Sequence, residues 1–191
     1  MAYTTINKST SYFNATPYNG TGSSQSITGV GFQPDLNWHK TRTRSGYNHC
    51  IIDVLRGPTK FLRPNLSNSE DTYTGSFVSF DSDGFSVGAD SSNGETNKSP
   101  DNLISWNWKA NGTGSSNTDG SITSTVSANT TSGFSIVSWS GDGSNATIGH
   151  GLSSIPKVII HKHISGSVQW NVYHASAGTG GYLRLDSTSA F

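Results

Sequence analysis

The sequence predicts an all-β chain, an antiparallel β-sandwich of jelly-roll or lectin-like kind built as one complete module and a partial second copy. Three observations predict it. Short runs of β-branched and aromatic residues recur between Gly, Asn, Asp and Ser turns. No window keeps an apolar stripe at helical spacing over several turns, and Ala, Leu, Glu and Lys are scarce. Finally, a pattern of Gly-x-Gly, Pro, apolar run and His-Lys occurs twice, about 120 residues apart.

The first copy of that pattern is "GVGFQPDLNWHK", beginning at Gly29. Its glycines suit a tight turn or bulge where φ is positive. A strand follows, opened by Pro34 where no ladder N–H is needed, with Leu36 and Trp38 alternating to bury one face. A strand after Gly-x-Gly argues against a dinucleotide fingerprint, which needs a helix there. "HKTRTR" (His39 to Arg44) is expected to be a solvated strand end. "NHCIIDVL" is more continuously apolar and is expected to lie centrally, with Cys50 as a buried small hydrophobe. A nucleophilic Cys50, helped by His49, is the sharper alternative.

Further along, "GSFVSFDSDGFSVGAD" predicts a hairpin: Phe77 to Phe80, a turn on "DSDG", then Phe85 to Val87. In "DNLISWNWKA" Ile104, Trp106 and Trp108 share one face and Ser105, Asn107 and Lys109 the other. That is period-two alternation, so a half-buried strand is expected with the tryptophans toward the core. Lys109 to Gly133 is rich in Gly, Ser, Thr and Asn, and its isolated Ile122 and Val126 suit an edge strand. "GFSIVSW" again alternates, Phe134, Ile136 and Ser138 against Ser135, Val137 and Trp139.

The repeat extends beyond the motif. Phe13 matches Phe134, Tyr18 matches Trp139, Ile27 matches Ile148, and "KFLRPN" (Lys60 to Asn65) matches "GYLRLD" (Gly181 to Asp186). The offset stays near 120 to 122 throughout. The expected organisation is a first module over 1–112, a linker or edge strand over 113–131, and a partial second copy over 132–191. The second copy, "GHGLSSIPKVIIHK" onward, has no counterpart of "SFDSDGFSVG" or "ISWNWK". Two explanations fit: the chain is part of a longer polypeptide, or its last strands come from another subunit.

Composition narrows the function. Hydrophobic residues make up 31% and charged residues 13%, but five Trp, seven Tyr and eight Phe supply large buried rings. Net charge is zero with no basic stripe, which excludes binding to a nucleic-acid backbone by counter-ion release. One cysteine cannot build a disulfide framework. The N-terminus lacks the charged and apolar regions of a secretory signal, and no apolar run reaches the ~18 residues of a membrane span.

Chemistry-bearing clusters are few, and no catalysis and no cofactor are expected. His161 and His163 in "HKH" share a strand face at a spacing suited to two metal ligands, with His150 or His174 as a third. Because His39 occupies the matching place in the first copy, a recurrent strand-end histidine is the plainer account. "DSDG" begins like a calcium loop, but Phe85 stands where an oxygen ligand belongs. Glu70 beside Asp71 is the one candidate acid pair, and no Ser lies in G-x-S-x-G context. Aromatic residues near turns, Trp139, Trp170, Tyr18 and Tyr47, are the candidates for stacking on a ligand such as a sugar ring.

The ordered string "GFQPDLNWHK", "HCIIDVLRGPTKFLRPN", "SFDSDGFSVGAD", "ISWNWKA" and "TSGFSIVSWSGDGSNATIGHGLSSIPKVIIHK" covers essentially the whole chain. It resembles a recurring β-rich domain of virion and tail-fibre-like proteins from marine and other tailed bacteriophages. The resemblance implies a structural virion protein assembled in the host cytoplasm, a tail fibre or appendage that anchors to the particle or recognises the host. It implies other virion proteins as partners and a homo-oligomer with trimers commonest, with a host-surface glycan as a candidate ligand. It implies no catalytic residues. A capsid-decorating protein or head fibre, and a lectin-like carbohydrate-binding module, are the alternatives.

Overall fold

Turn residues every few positions keep the strands short. The computed structural model describes residues 6–89 and 95–189. In chain order, a 3₁₀ turn at Ser9–Ser11 precedes β1 (Phe13–Asn19), β2 (Gln25–Thr28), β3 (Leu36–Thr41), β4 (Cys50–Asp53) and β5 (Lys60–Phe61). Next come β6 (Asp71–Thr72), β7 (Phe77–Asp81), β8 (Gly84–Val87), β9 (Asn102–Trp108) and β10 (Ser115–Asn117). The last are β11 (Ser124–Asn129), β12 (Phe134–Trp139), β13 (Val158–His161), β14 (Asn171–His174) and β15 (Leu183–Arg184). The paired strands run antiparallel, so the chain is all-β as expected. Among the described residues no helix is long and apolar enough to cross a membrane.

The main core lies between two sheets, ordered β1-β9-β3-β4 and β2-β8-β7. Ile27, Phe77, Phe85 and Val87 from one meet Cys50 and Ile52 from the other. Each such side chain contributes roughly 1.5–3 kcal/mol by leaving water. The β7–β8 hairpin forms as "DSDG" predicts, and its Asp83 has a second task. Its carboxylate accepts the N–H of Gly29 at 3.1 Å and of Gly31 at 2.6 Å. Those glycines have φ of 85° and 89°, the left-handed turn that the motif predicts.

The alternation in β9 and β3 is as expected, but its sense is inverted. Leu103, Ser105 and Asn107 are fully buried toward the core, while Trp106 and Trp108 are half-buried on the outer face. Likewise Asn37, His39 and Thr41 point inward, and Leu36 and Trp38 outward. "HKT" is therefore strand interior, not a solvated end; only Arg42 to Arg44 of that stretch is exposed.

On this face a polar network centred on Asn107 satisfies part of the buried polar set. Asn107 Oδ1 accepts from Asn37 Nδ2 at 2.6 Å and from Ser105 Oγ at 2.8 Å, and Asn107 Nδ2 donates to Asn14 O at 3.0 Å. The outer face is covered in turn by Trp170 and Leu185, which pack with Ile51 and Leu62 on Leu36 and Trp38. "CIID" is buried along its whole length but ends its sheet rather than lying centrally. A bridge from Ile51 to Leu62 closes its outer edge.

Within the Gly/Ser/Thr-rich stretch, β10 and β11 form and join β12 in one sheet, and Ile122 bridges Ile148. A further sheet is ordered β13-β14-β15. Pairings in the two halves coincide. Trp38 faces Ile51 and His39 faces Cys50, as Ile160 faces Val172 and His161 faces Asn171. Ile51 bridges Leu62, as Val172 pairs with Leu183. Asn14 Nδ2 donates to Val30 O in the first Gly-x-Gly loop, as Ser135 Oγ donates to His150 O in the second.

Candidate functional site

The backbone of β13 defines the most unusual surface. Lys157 O accepts from Ala175 N, and antiparallel peptide groups alternate in direction. Ile159 and His161 therefore face β14, while Val158 and Ile160 turn their peptide groups away from it. No described residue hydrogen-bonds those outward groups, and β13 ends its sheet, as β12 ends its own. The side chains are equally open: Val158, Ile159 and Ile160 are 50%, 47% and 49% exposed. Three consecutive apolar residues, open on both faces of an edge strand, are what folded proteins otherwise cover or blunt with charge.

Trp139, at the end of β12, is 39% exposed and stacks on His161. Of the four aromatic candidates, it is the one left open beside this strand. Burial, followed by the positive neighbours His163 and Lys162, pushes the His161 imidazole below its ordinary pKa. His163 lies past the end of β13, so the two imidazoles do not share a strand face; His163 Nε2 lies 3.3 Å from Ser165 Oγ. His150 and His174 accept backbone N–H groups from Leu152 and Ser176. Among the described residues no three His, Cys, Asp or Glu side chains gather as a metal site would require.

The remaining aromatic candidates have structural tasks. Trp170 is 4% exposed, and its indole N–H is shared between Arg63 O and Leu66 O at 3.0 and 3.1 Å, so it staples the C-terminal half onto the first. It is not a ligand platform. Tyr18 packs against the main core, with its hydroxyl bonded to Thr96 O at 2.6 Å and 3.1 Å from His39 Nδ1. Tyr47 is half-buried under the Arg44 guanidinium. Sequence periodicity could not distinguish Tyr18 and Trp170, because their partners lie far away in the chain.

The candidate carboxylate pair is taken up in separate ion pairs. Glu70 meets Arg56 at 3.2 Å and Lys60 at 3.6 Å, while Asp71 meets Arg63. Arg63 also holds Glu95 at 3.0 Å and the Tyr73 hydroxyl at 2.9 Å. Arg184, in "YLRLD", lies over the Tyr182 ring and joins no salt bridge among the described residues. Cys50 is fully buried in the main core.

An open cleft of about 310 Å³ lies where the two halves meet. Tyr12, Phe13, Trp108 and Phe134 line it, with Phe13–Trp108 and Trp108–Phe134 ring centroids 4.9 and 6.1 Å apart. The matched pair Phe13 and Phe134 was its signal in the sequence. Comparison with curated proteins and with solved structures finds no match. Residues 8–191 match a family described as a domain of unknown function, DUF7483, and the chain belongs to that family.

Proposed function

We propose that the chain is a structural protein of a bacteriophage virion, a tail fibre or tail appendage that anchors to the particle and presents a host-binding surface. In this reading 1–112 and 132–191 are a full and a partial copy of one module joined through 113–131. Its partners are other virion proteins and further copies of itself, with a trimer favoured, and it carries out no catalysis. The observation that carries the reading is β13: an edge strand with exposed Val158, Ile159 and Ile160 is a surface built to be covered on assembly. The ordered motif string that resembles phage virion domains gives the assembly its kind. Imaging purified particles of the phage that encodes the chain, with antibody labelling, tests this. Label on the tail supports it, label on the head favours the capsid-decorating alternative, and absence from particles overturns both.

A second reading draws on the aromatic cleft. Tyr12, Phe13, Trp108 and Phe134 offer ring faces at an open surface, the chemistry a lectin-like module uses on sugars. Saturable binding on a glycan array, lost in Trp108→Ala with the fold retained, would favour it. A blank array would remove it.

A further inference from the structure

We propose that the second half of the chain holds an open strand lane between β12 and β13. An extended segment of a partner polypeptide, with the alternation of β9, fills that lane on assembly. The first half shows what a filled lane looks like. There β9 pairs with β1 on one edge and β3 on the other. Across it Tyr18, opposite Leu103, meets His39, opposite Ser105.

The second half keeps both walls. Trp139 and His161 stand where the repeat places Tyr18 and His39, and they too meet, 5.4 Å apart. The edges match as well: Asp35 O accepts from Val54 N, just as Lys157 O accepts from Ala175 N. Val158 and Ile160 therefore correspond to Leu36 and Trp38, which pair with Trp108 and Trp106 of β9. No described strand pairs with Val158 or Ile160 on that side. Ile159 stands 47% exposed where Asn37 is fully buried and bonded to Asn107 of β9.

Charge points the same way. Arg63 is neutralised by Asp71 of β6 and by Glu95, which lies in the stretch leading into β9. Arg184, its counterpart, has no such carboxylate among the described residues. The occupant is thus an extended segment with large apolar residues on one face and small or polar ones on the other, and with a carboxylate upstream. A folded second copy does not donate its own β9, because Leu103, Ser105 and Asn107 are fully buried within its own sheet. Strand addition of this kind takes affinity from main-chain hydrogen bonds and specificity from alternate side chains.

A synthetic peptide of residues 101–110, titrated into the 191-residue chain, tests the lane. The expected result is saturable one-to-one binding, with slowed amide exchange at Val158 and Ile160. Ile160→Pro removes an N–H that β14 does not use, so the variant folds, yet it weakens the peptide by about tenfold or more. A peptide of the same composition with its alternation scrambled binds no better than that. Absence of saturable binding, protection confined elsewhere, or unchanged binding to Ile160→Pro overturns the proposal. So does self-association of the chain through Val158–Ile160 without peptide, which would assign the edge to a second copy. The inference goes beyond the virion reading, and the two fail separately. Peptide binding reports on the lane whatever particle the chain belongs to, and particle imaging reports on location whatever fills the lane.

Discussion

The Trp139 indole lies on the His161 imidazole, with centroids 5.4 Å apart and planes 27° apart. Packing of this kind keeps His161 neutral: burial first, then His163 and Lys162, lower its pKa from 6.5. Burial and then Lys40 lower His49 in the same direction. The folded state therefore binds fewer protons than the unfolded one near neutrality. The stability that depends on the neutral rings is fully present above about pH 6.5, falls as the pH drops below it, and levels off under the folded pKa. Urea midpoints should decline from about pH 7.5 to about pH 5, with a shallower slope in His161→Asn. An equal slope in the variant would show that His161 does not contribute.

Tyr18 and His39 form the buried version of that pair. The Tyr18 hydroxyl donates to Thr96 O, which as a carbonyl can only accept, so His39 Nδ1 is the donor across the 3.1 Å contact. Tyr18→Phe should cost about 1–3 kcal/mol in denaturant unfolding, since it strips a partner from buried polar groups. Nitrogen chemical shifts of His39 should report a protonated Nδ1. An unprotonated Nδ1 would contradict the assignment.

Arg63 anchors the first half through Glu95 and Asp71, and its side chain and that of Glu95 are both buried. Glu95→Ala leaves the guanidinium with Asp71 as its one carboxylate partner among the described residues and should cost about 1–3 kcal/mol. The Arg63→Met, Glu95→Leu double variant should recover much of that loss, because no buried charge is left alone. A double variant as unstable as the single one would mean the ion pair is not what holds the site together.

Asp83 ties two loops together by accepting Gly29 N–H and Gly31 N–H. Asp83→Ala should lower stability by about 1–2 kcal/mol in a urea titration. Gly84→Ala should be worse, because a Cβ there would collide with Ile27 O at a φ of 154°. Wild-type stability in both variants would contradict the described hairpin packing.

The fold class was legible because turns and period-two alternation are local. The β7–β8 hairpin, for instance, follows from "DSDG" alone. Which face is inside was not legible. Asn107 reads as a solvent residue until Asn37 and Asn14, far away in the chain, satisfy it together with the nearby Ser105. Trp170 likewise looked like a turn-side aromatic, because its acceptors Arg63 O and Leu66 O lie about 105 residues earlier. Trp139 and His161 were both visible as candidates, but only the fold shows that they stack on each other. The cleft at Phe13, Trp108 and Phe134 is assembled from three separate strands, so no local window contains it.

Residue-resolved amide exchange on the isolated chain reads out whether one edge of β13 is open. An open edge gives an alternating pattern: fast exchange at Val158 and Ile160, and slow exchange at Ile159 and His161, which face β14. Uniform protection across all four amides would contradict it.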